Sequence, residues 1–95
     1  MNGNALFDDQ KTLYSTRNED GARSTITIAK WAADLLQEIL PNVHAWIQQR
    51  YDIVSVEMPN LSRVQRGIIV RLLAEREAQK NPKFKMLLDS ALMCI

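Results

Sequence analysis

Arg23-Ser24-Thr25-Ile26-Thr27-Ile28 is the stretch that decides how the rest of the chain must fold. It is β-branched and alternates strictly, with Ile26 and Ile28 on one side and Thr25 and Thr27 on the other. Period two with branched side chains reads as a short strand that has one apolar and one polar face. A single strand leaves its backbone donors and acceptors unpaired, so this one needs a partner.

Upstream, residues 1–22 show no sustained period. Asn, Asp, Gly, Ser and Thr dominate, with Leu6, Phe7, Leu13 and Tyr14 isolated among them, and the segment reads as a flexible N-terminal arm. Downstream, residues 23–95 read as a single compact domain. Ile28, Trp31, Ala32, Leu35, Leu36, Ile39, Val43, Trp46 and Ile47 recur at helical spacing, which predicts helix over about residues 30–51. Pro41 splits this helix in two or kinks it. Asp52–Met58 is either a second strand or an extended connection. Ser62, with Gln65 three residues on, forms a capping-box pattern that opens a helix over about 62–79. Val64, Ile68, Ile69, Leu72 and Leu73 are its expected apolar stripe. Asn81-Pro82 breaks the pattern, and a last helix is expected over about 83–92.

The chain has 95 residues, enough for one small domain. No apolar run reaches the roughly 18 residues that cross a membrane. The N-terminus lacks a basic start followed by an apolar stretch, and Cys94 is the single cysteine, so a cytoplasmic location is expected. His44 and Cys94 cannot by themselves supply a metal site, and the three glycines are scattered, so no metal, cofactor or catalytic role is expected. Charge is uneven. Residues 1–60 carry a net −3. Residues 61–95 carry a net +4, with seven basic residues against Glu75, Glu77 and Asp89. An anionic ligand is therefore expected on the C-terminal side.

The order of strand, helix and second capped helix resembles the ribbon-helix-helix family of bacterial and phage DNA-binding proteins. The resemblance is carried by Arg23–Ile28 and by Leu61-Ser62-Arg63-Val64-Gln65-Arg66-Gly67-Ile68-Ile69-Val70-Arg71-Leu72-Leu73. It implies a mainly α homodimer with one short N-terminal strand and an additional C-terminal helix. In such a dimer the two copies of the strand pair across a two-fold axis and enter the major groove of double-stranded DNA. By position, Arg23, Thr25 and Thr27 would face the bases. Ile26 and Ile28 would pack against Leu35, Leu36, Ile68 and Leu72. The amides around Ser62 and Arg63 would hold phosphate, with Arg66 adding charge. The implied role is a small transcriptional regulator or repressor, or a plasmid or phage accessory factor. This chain departs from the family pattern in the long connection, containing Pro41, between strand and second helix.

Two alternatives remain open on the residues themselves. Strands 24–28 and 53–58 pair within one chain in a compact α+β adaptor or inhibitor from a mobile element, which binds protein through Met58, Met86, Met93 and Ile95. In the other, the chain is a helical bundle that pairs with a partner helix.

Overall fold

The computed structural model describes residues 10–93. Residues 1–9, which the arm expectation covers, and Cys94 and Ile95 lie outside them. The described chain is a two-stranded antiparallel sheet followed by four helices. The strands are β1 (Lys11–Arg17) and β2 (Arg23–Ala29); the helices are α1 (Lys30–Ile39), α2 (Val43–Glu57), α3 (Arg63–Ala78) and α4 (Lys83–Met93).

Strand β2 forms where the alternation demands it, with Ile26 and Ile28 buried. Within the chain its partner is not residues 53–58. It is β1, part of the segment expected to be a flexible arm, in the register Thr12↔Ile28, Tyr14↔Ile26, Thr16↔Ser24 and Arg17↔Arg23. Lys11–Arg17 contains only one strongly apolar inward residue, Tyr14, so its period-two signal is faint. The inward positions Thr12 and Thr16 are polar, and the buried Thr16 hydroxyl donates to the Ser24 carbonyl at 3.4 Å. The turn is closed by Gly21 N–H to the Asn18 carbonyl at 2.9 Å and Asn18 N–H to the Ala22 carbonyl at 2.8 Å. Gly21 takes φ +84°, a left-handed conformation that side chains disfavour.

Residues 53–57, the alternative strand, belong to α2. Val43, Ile47, Tyr51 and Val54 are all buried at spacings of four, four and three, so burial of one continuous helical face overrides the β-branched run Ile53-Val54-Ser55-Val56. Pro41 separates α1 from α2 as the proline rule requires, and Asn42 caps α2 by accepting from Ala45 N–H at 2.9 Å. At α3 the capping box is complete: Ser62 accepts from Gln65 N–H at 3.1 Å, and Gln65 accepts from Ser62 N–H at 2.9 Å.

The core lies between the inner face of the hairpin and α1, α2 and α3. The row that α3 buries is Val70, Ala74 and Ala78, with Arg66 at its start. Val64, Ile68 and Leu72, expected in that core, are instead exposed at 74%, 43% and 53%. Small residues win the inner face because they let α3 approach closely. At Gly67 a Cβ would already stand 3.2 Å from the Ile26 side chain. Trp31 and Trp46 are half-buried at the core's margin; Trp31 meets Phe84 of α4, with ring centroids 5.5 Å apart, and Arg50 sits over Trp46. At the corner before α4, buried Asn81 donates to the Leu35 carbonyl and accepts from Lys83 N–H, both at 3.0 Å. No described helix is long and apolar enough to cross a membrane.

A polar knot joins the hairpin to α2. The buried Tyr51 hydroxyl donates to the Asn18 side-chain oxygen, and Asn18 Nδ2 donates to the Ala22 carbonyl and the Ser24 hydroxyl, both at 3.0 Å. Asn18→Ala is expected to lower the unfolding free energy by about 2 kcal/mol, because it strands the Tyr51 hydroxyl in the interior. The more exposed Gln48→Ala should cost clearly less. Urea titration of both variants measures the difference.

Candidate nucleic-acid interface

The two ends of the ladder set which way the backbone of each strand points. Asn18 N–H donates to Ala22 and Lys30 N–H to Gln10, so the even-numbered residues of β1 and β2 exchange backbone hydrogen bonds. Their side chains face the core. The odd-numbered residues Lys11, Leu13, Ser15, Arg17, Arg23, Thr25 and Thr27 share the opposite face. On that face Thr27 and, at the end of β2, Ala29 are half-buried and the others are exposed.

This outer face brings together three of the expected residues, Arg23, Thr25 and Thr27, and adds three that the sequence reading placed in an arm: Lys11, Ser15 and Arg17. Arg17 and Arg23 are directly opposed across the ladder. Among the described residues neither has an ion-pair partner, although five ion pairs form elsewhere. Like charges directly opposite one another destabilise a strand pair. The backbone of Arg17 is nonetheless held firmly: Gln48 of α2 accepts from Arg17 N–H at 2.8 Å and donates to the Arg17 carbonyl at 3.1 Å. His44 Nε2 is hydrogen-bonded to the Ser15 carbonyl. Ser15, Arg17, Arg23, His44 and Gln48 together line a shallow hollow of about 190 Å³. No cluster of three or more potential metal ligands occurs among the described residues.

Ser62, Arg63 and Arg66 stand apart from this face in what they do. Ser62 is engaged in its own capping box. Arg63 pairs with Asp20 of the hairpin turn. Arg66 is 8% exposed; its guanidinium donates to the carbonyls of Leu61, at 3.1 Å, and Pro59, at 3.0 Å, and reaches Glu19 at 3.5 Å. It ties the α2–α3 connection to the hairpin turn. Two carboxylates, Asp20 and Glu19, thus lie against the start of α3, where a phosphate was expected. Four of the seven C-terminal cations are engaged in ion pairs, Arg63–Asp20, Arg66–Glu19, Lys80–Glu77 and Lys83–Glu38, and among the described residues Lys11, Arg17 and Arg23 of the hairpin have no ion-pair partner.

Asp20 is held below the ordinary carboxylate range by the Ala22 N–H and then by Arg63; Glu38 is lowered by hydrogen bonds from Lys83 and then Asn81. Met58, Met86 and Met93 are exposed, at separate places on α2's end and α4.

Comparison of the chain with protein-family models, with characterised proteins and with solved structures finds no match.

Arg66→Ala should destabilise the fold by about 2 kcal/mol, since two carbonyls lose a charged donor, and Arg66→Lys should recover little because an ammonium cannot fork to both. Arg63→Ala should have a much smaller effect, because its ion pair is exposed. Thermal melts of the three variants decide this. Because the folded-state pKa values of Asp20 and Glu38 are depressed, their contribution is complete above the ordinary carboxylate range. It is lost as pH falls through the lowered values. Acid titration of Asp20→Asn and Glu38→Gln should show a shallower loss of stability than wild type.

Proposed function

We propose that this chain binds double-stranded DNA through the outer face of its own hairpin. A two-stranded ribbon is narrow enough for the major groove, and here the ribbon is complete within one molecule. Lys11, Arg17 and Arg23 contact phosphate. Ser15, Thr25 and Thr27, short hydroxyl side chains that can donate or accept, meet base edges.

The observation that carries this reading is the facing pair Arg17 and Arg23. Two guanidinium groups placed opposite each other and left without a carboxylate gain most from an external anion. The side-chain amide of Gln48 fixes the backbone of Arg17 beforehand. The face bears no acidic residue, whereas the turn acids are drawn away toward α3. Ser62, Arg63 and Arg66 are left out of the contact set because their polar groups are already occupied. The biological role that fits is a small regulator or accessory factor acting on DNA in the cytoplasm.

Duplex affinity should fall log-linearly with salt, with a slope of about −0.9 per phosphate contact. Arg17→Ala and Arg23→Ala should each weaken binding to all sequences and reduce that slope by about one. Thr25→Ala should change sequence preference and leave the slope unaltered. Gel-shift titrations at several salt concentrations read all three. Equal duplex retention by wild type and by an Arg17/Arg23/Thr25 triple alanine variant removes the proposal.

A further inference from the structure

The hollow lined by Ser15, Arg17, Arg23, His44 and Gln48 gathers hydrogen-bond donors and no acid. β1 supplies Ser15 and Arg17, β2 supplies Arg23, and α2 supplies His44 and Gln48. At about 190 Å³ it lies below the roughly 300–1,000 Å³ of pockets that enclose a whole small molecule, and it suits a single compact group. Gln48 is a wall of this hollow rather than a ligand. Its oxygen accepts from Arg17 N–H, and its nitrogen donates to the Arg17 carbonyl and, at 2.9 Å, to Asp52. The Ser15 hydroxyl and the guanidinium groups of Arg17 and Arg23, by contrast, donate to no described residue.

His44 adds a group whose charge can change. Its Nε2 is bonded to the Ser15 carbonyl, an oxygen that can only accept, so Nε2 carries a hydrogen. The other ring nitrogen, Nδ1, has no partner among the described residues. In a neutral ring Nδ1 is an acceptor; in a protonated ring it is a third cationic donor beside Arg17 and Arg23. The bond to Ser15 persists in both states, and Tyr14 stands against the ring with centroids 6.2 Å apart, so charging the ring need not move it. The neighbouring acids are engaged elsewhere. Glu19 and Asp20 pair with Arg66 and Arg63, while Asp52, together with Glu19, lines the adjoining hollow. Arg50 of α2 lies over Trp46. A charged His44 therefore has two guanidinium groups beside it and no carboxylate lining the same hollow.

We infer that this hollow is a seat for one tetrahedral oxyanion, a phosphate or sulfate group, held by Arg17 and Arg23 and closed by the protonated form of His44. Planar guanidinium forks match the oxygens of such a group two at a time. The register sets one fork on each strand, directly opposed, so both reach the same anion. The anion relieves the like-charge opposition across the ladder and favours the proton on Nδ1. Binding therefore takes up a proton. By reciprocity, affinity falls as pH rises through the range in which an imidazole discharges. The inference goes beyond the DNA reading, with which it shares Arg17 and Arg23, because the seat needs no duplex around it. Its occupant is a free oxyanion or one phosphate of a nucleic-acid backbone, which present the same oxygens.

His44 is the single histidine of the chain, so one imidazole signal in the proton NMR spectrum reports on it alone. Sulfate is the probe, because it stays a dianion throughout and any pH dependence then belongs to the protein. In sulfate, against chloride at equal ionic strength, the midpoint of that signal should rise by about 0.7 pH unit, which corresponds to about fivefold tighter binding by the charged ring. Backbone amide shifts of Ser15 and Arg17 give the sulfate affinity directly. It should fall between about pH 5.5 and about pH 8 in wild type and stay level in His44→Gln, whose amide does not titrate. An Arg17→Ala/Arg23→Ala double variant should lose both effects. Arg17, Arg23 and His44 are all exposed, and circular dichroism establishes that each variant is folded. A midpoint that moves no further in sulfate than in chloride overturns the inference. So does a sulfate shift that survives loss of both arginines, or an affinity that varies with pH equally in His44→Gln. Duplex DNA added to the sulfate-bound protein identifies the source: displaced sulfate marks a backbone phosphate as the occupant. Sulfate retained beside bound duplex, or in a chain that binds no duplex, marks a free oxyanion.

Discussion

Tyr51 reaches from the middle of α2 to the turn of the hairpin, and its hydroxyl proton goes to the side chain of Asn18. Every polar atom there has a partner: Asn18 spends its amide hydrogens on the Ala22 carbonyl and Ser24 hydroxyl, and no buried side-chain donor or acceptor among the described residues is left unpaired. A buried network of this kind is costly if half-made and specific when complete. It sets the turn, and through the turn the register of β1 on β2. That register places the threonines and isoleucines of β2 on opposite faces. A slip of one residue would turn Ile26 and Ile28 outward.

From that register the surface chemistry follows. Once Arg17 stands opposite Arg23, the outer face of the hairpin becomes a patch of uncompensated positive charge. The acids nearest in sequence, Glu19 and Asp20, are carried by the turn toward Arg66 and Arg63 instead. The same two ion pairs that fasten the turn to α3 therefore also remove negative charge from the ribbon. Overall charge, a formal +1, conceals this separation. What matters for an anionic partner is the arrangement of a few groups within one Debye length, roughly 8–10 Å at ordinary salt.

Helix α3 shows how composition misleads when a helix has two apolar rows. Val64, Ile68 and Leu72 are the larger residues and look like the core, yet the inner row is Val70, Ala74 and Ala78. Close approach of α3 to β2 at Gly67 requires small side chains. The larger ones are left on the outer flank.

Strand β2, the break at Pro41, the capping box at Ser62 and the corner at Asn81-Pro82 were legible in the residues, because each rests on local chemistry: alternation, a missing N–H, a side-chain cap, a turn pair. Arg23, Thr25 and Thr27 were likewise placed correctly on a polar strand face. Tertiary structure decided the rest. Lys11–Arg17 became a strand because β2 offered it a ladder, not because its own pattern was strong. Residues 53–57 stayed helical because Val54 completes the buried face begun by Val43, Ile47 and Tyr51. Arg66 became a structural brace because the Pro59 and Leu61 carbonyls lie within its reach. Local rules see neighbours along the chain, whereas these three outcomes depend on partners that are distant in sequence or on the choice between competing faces.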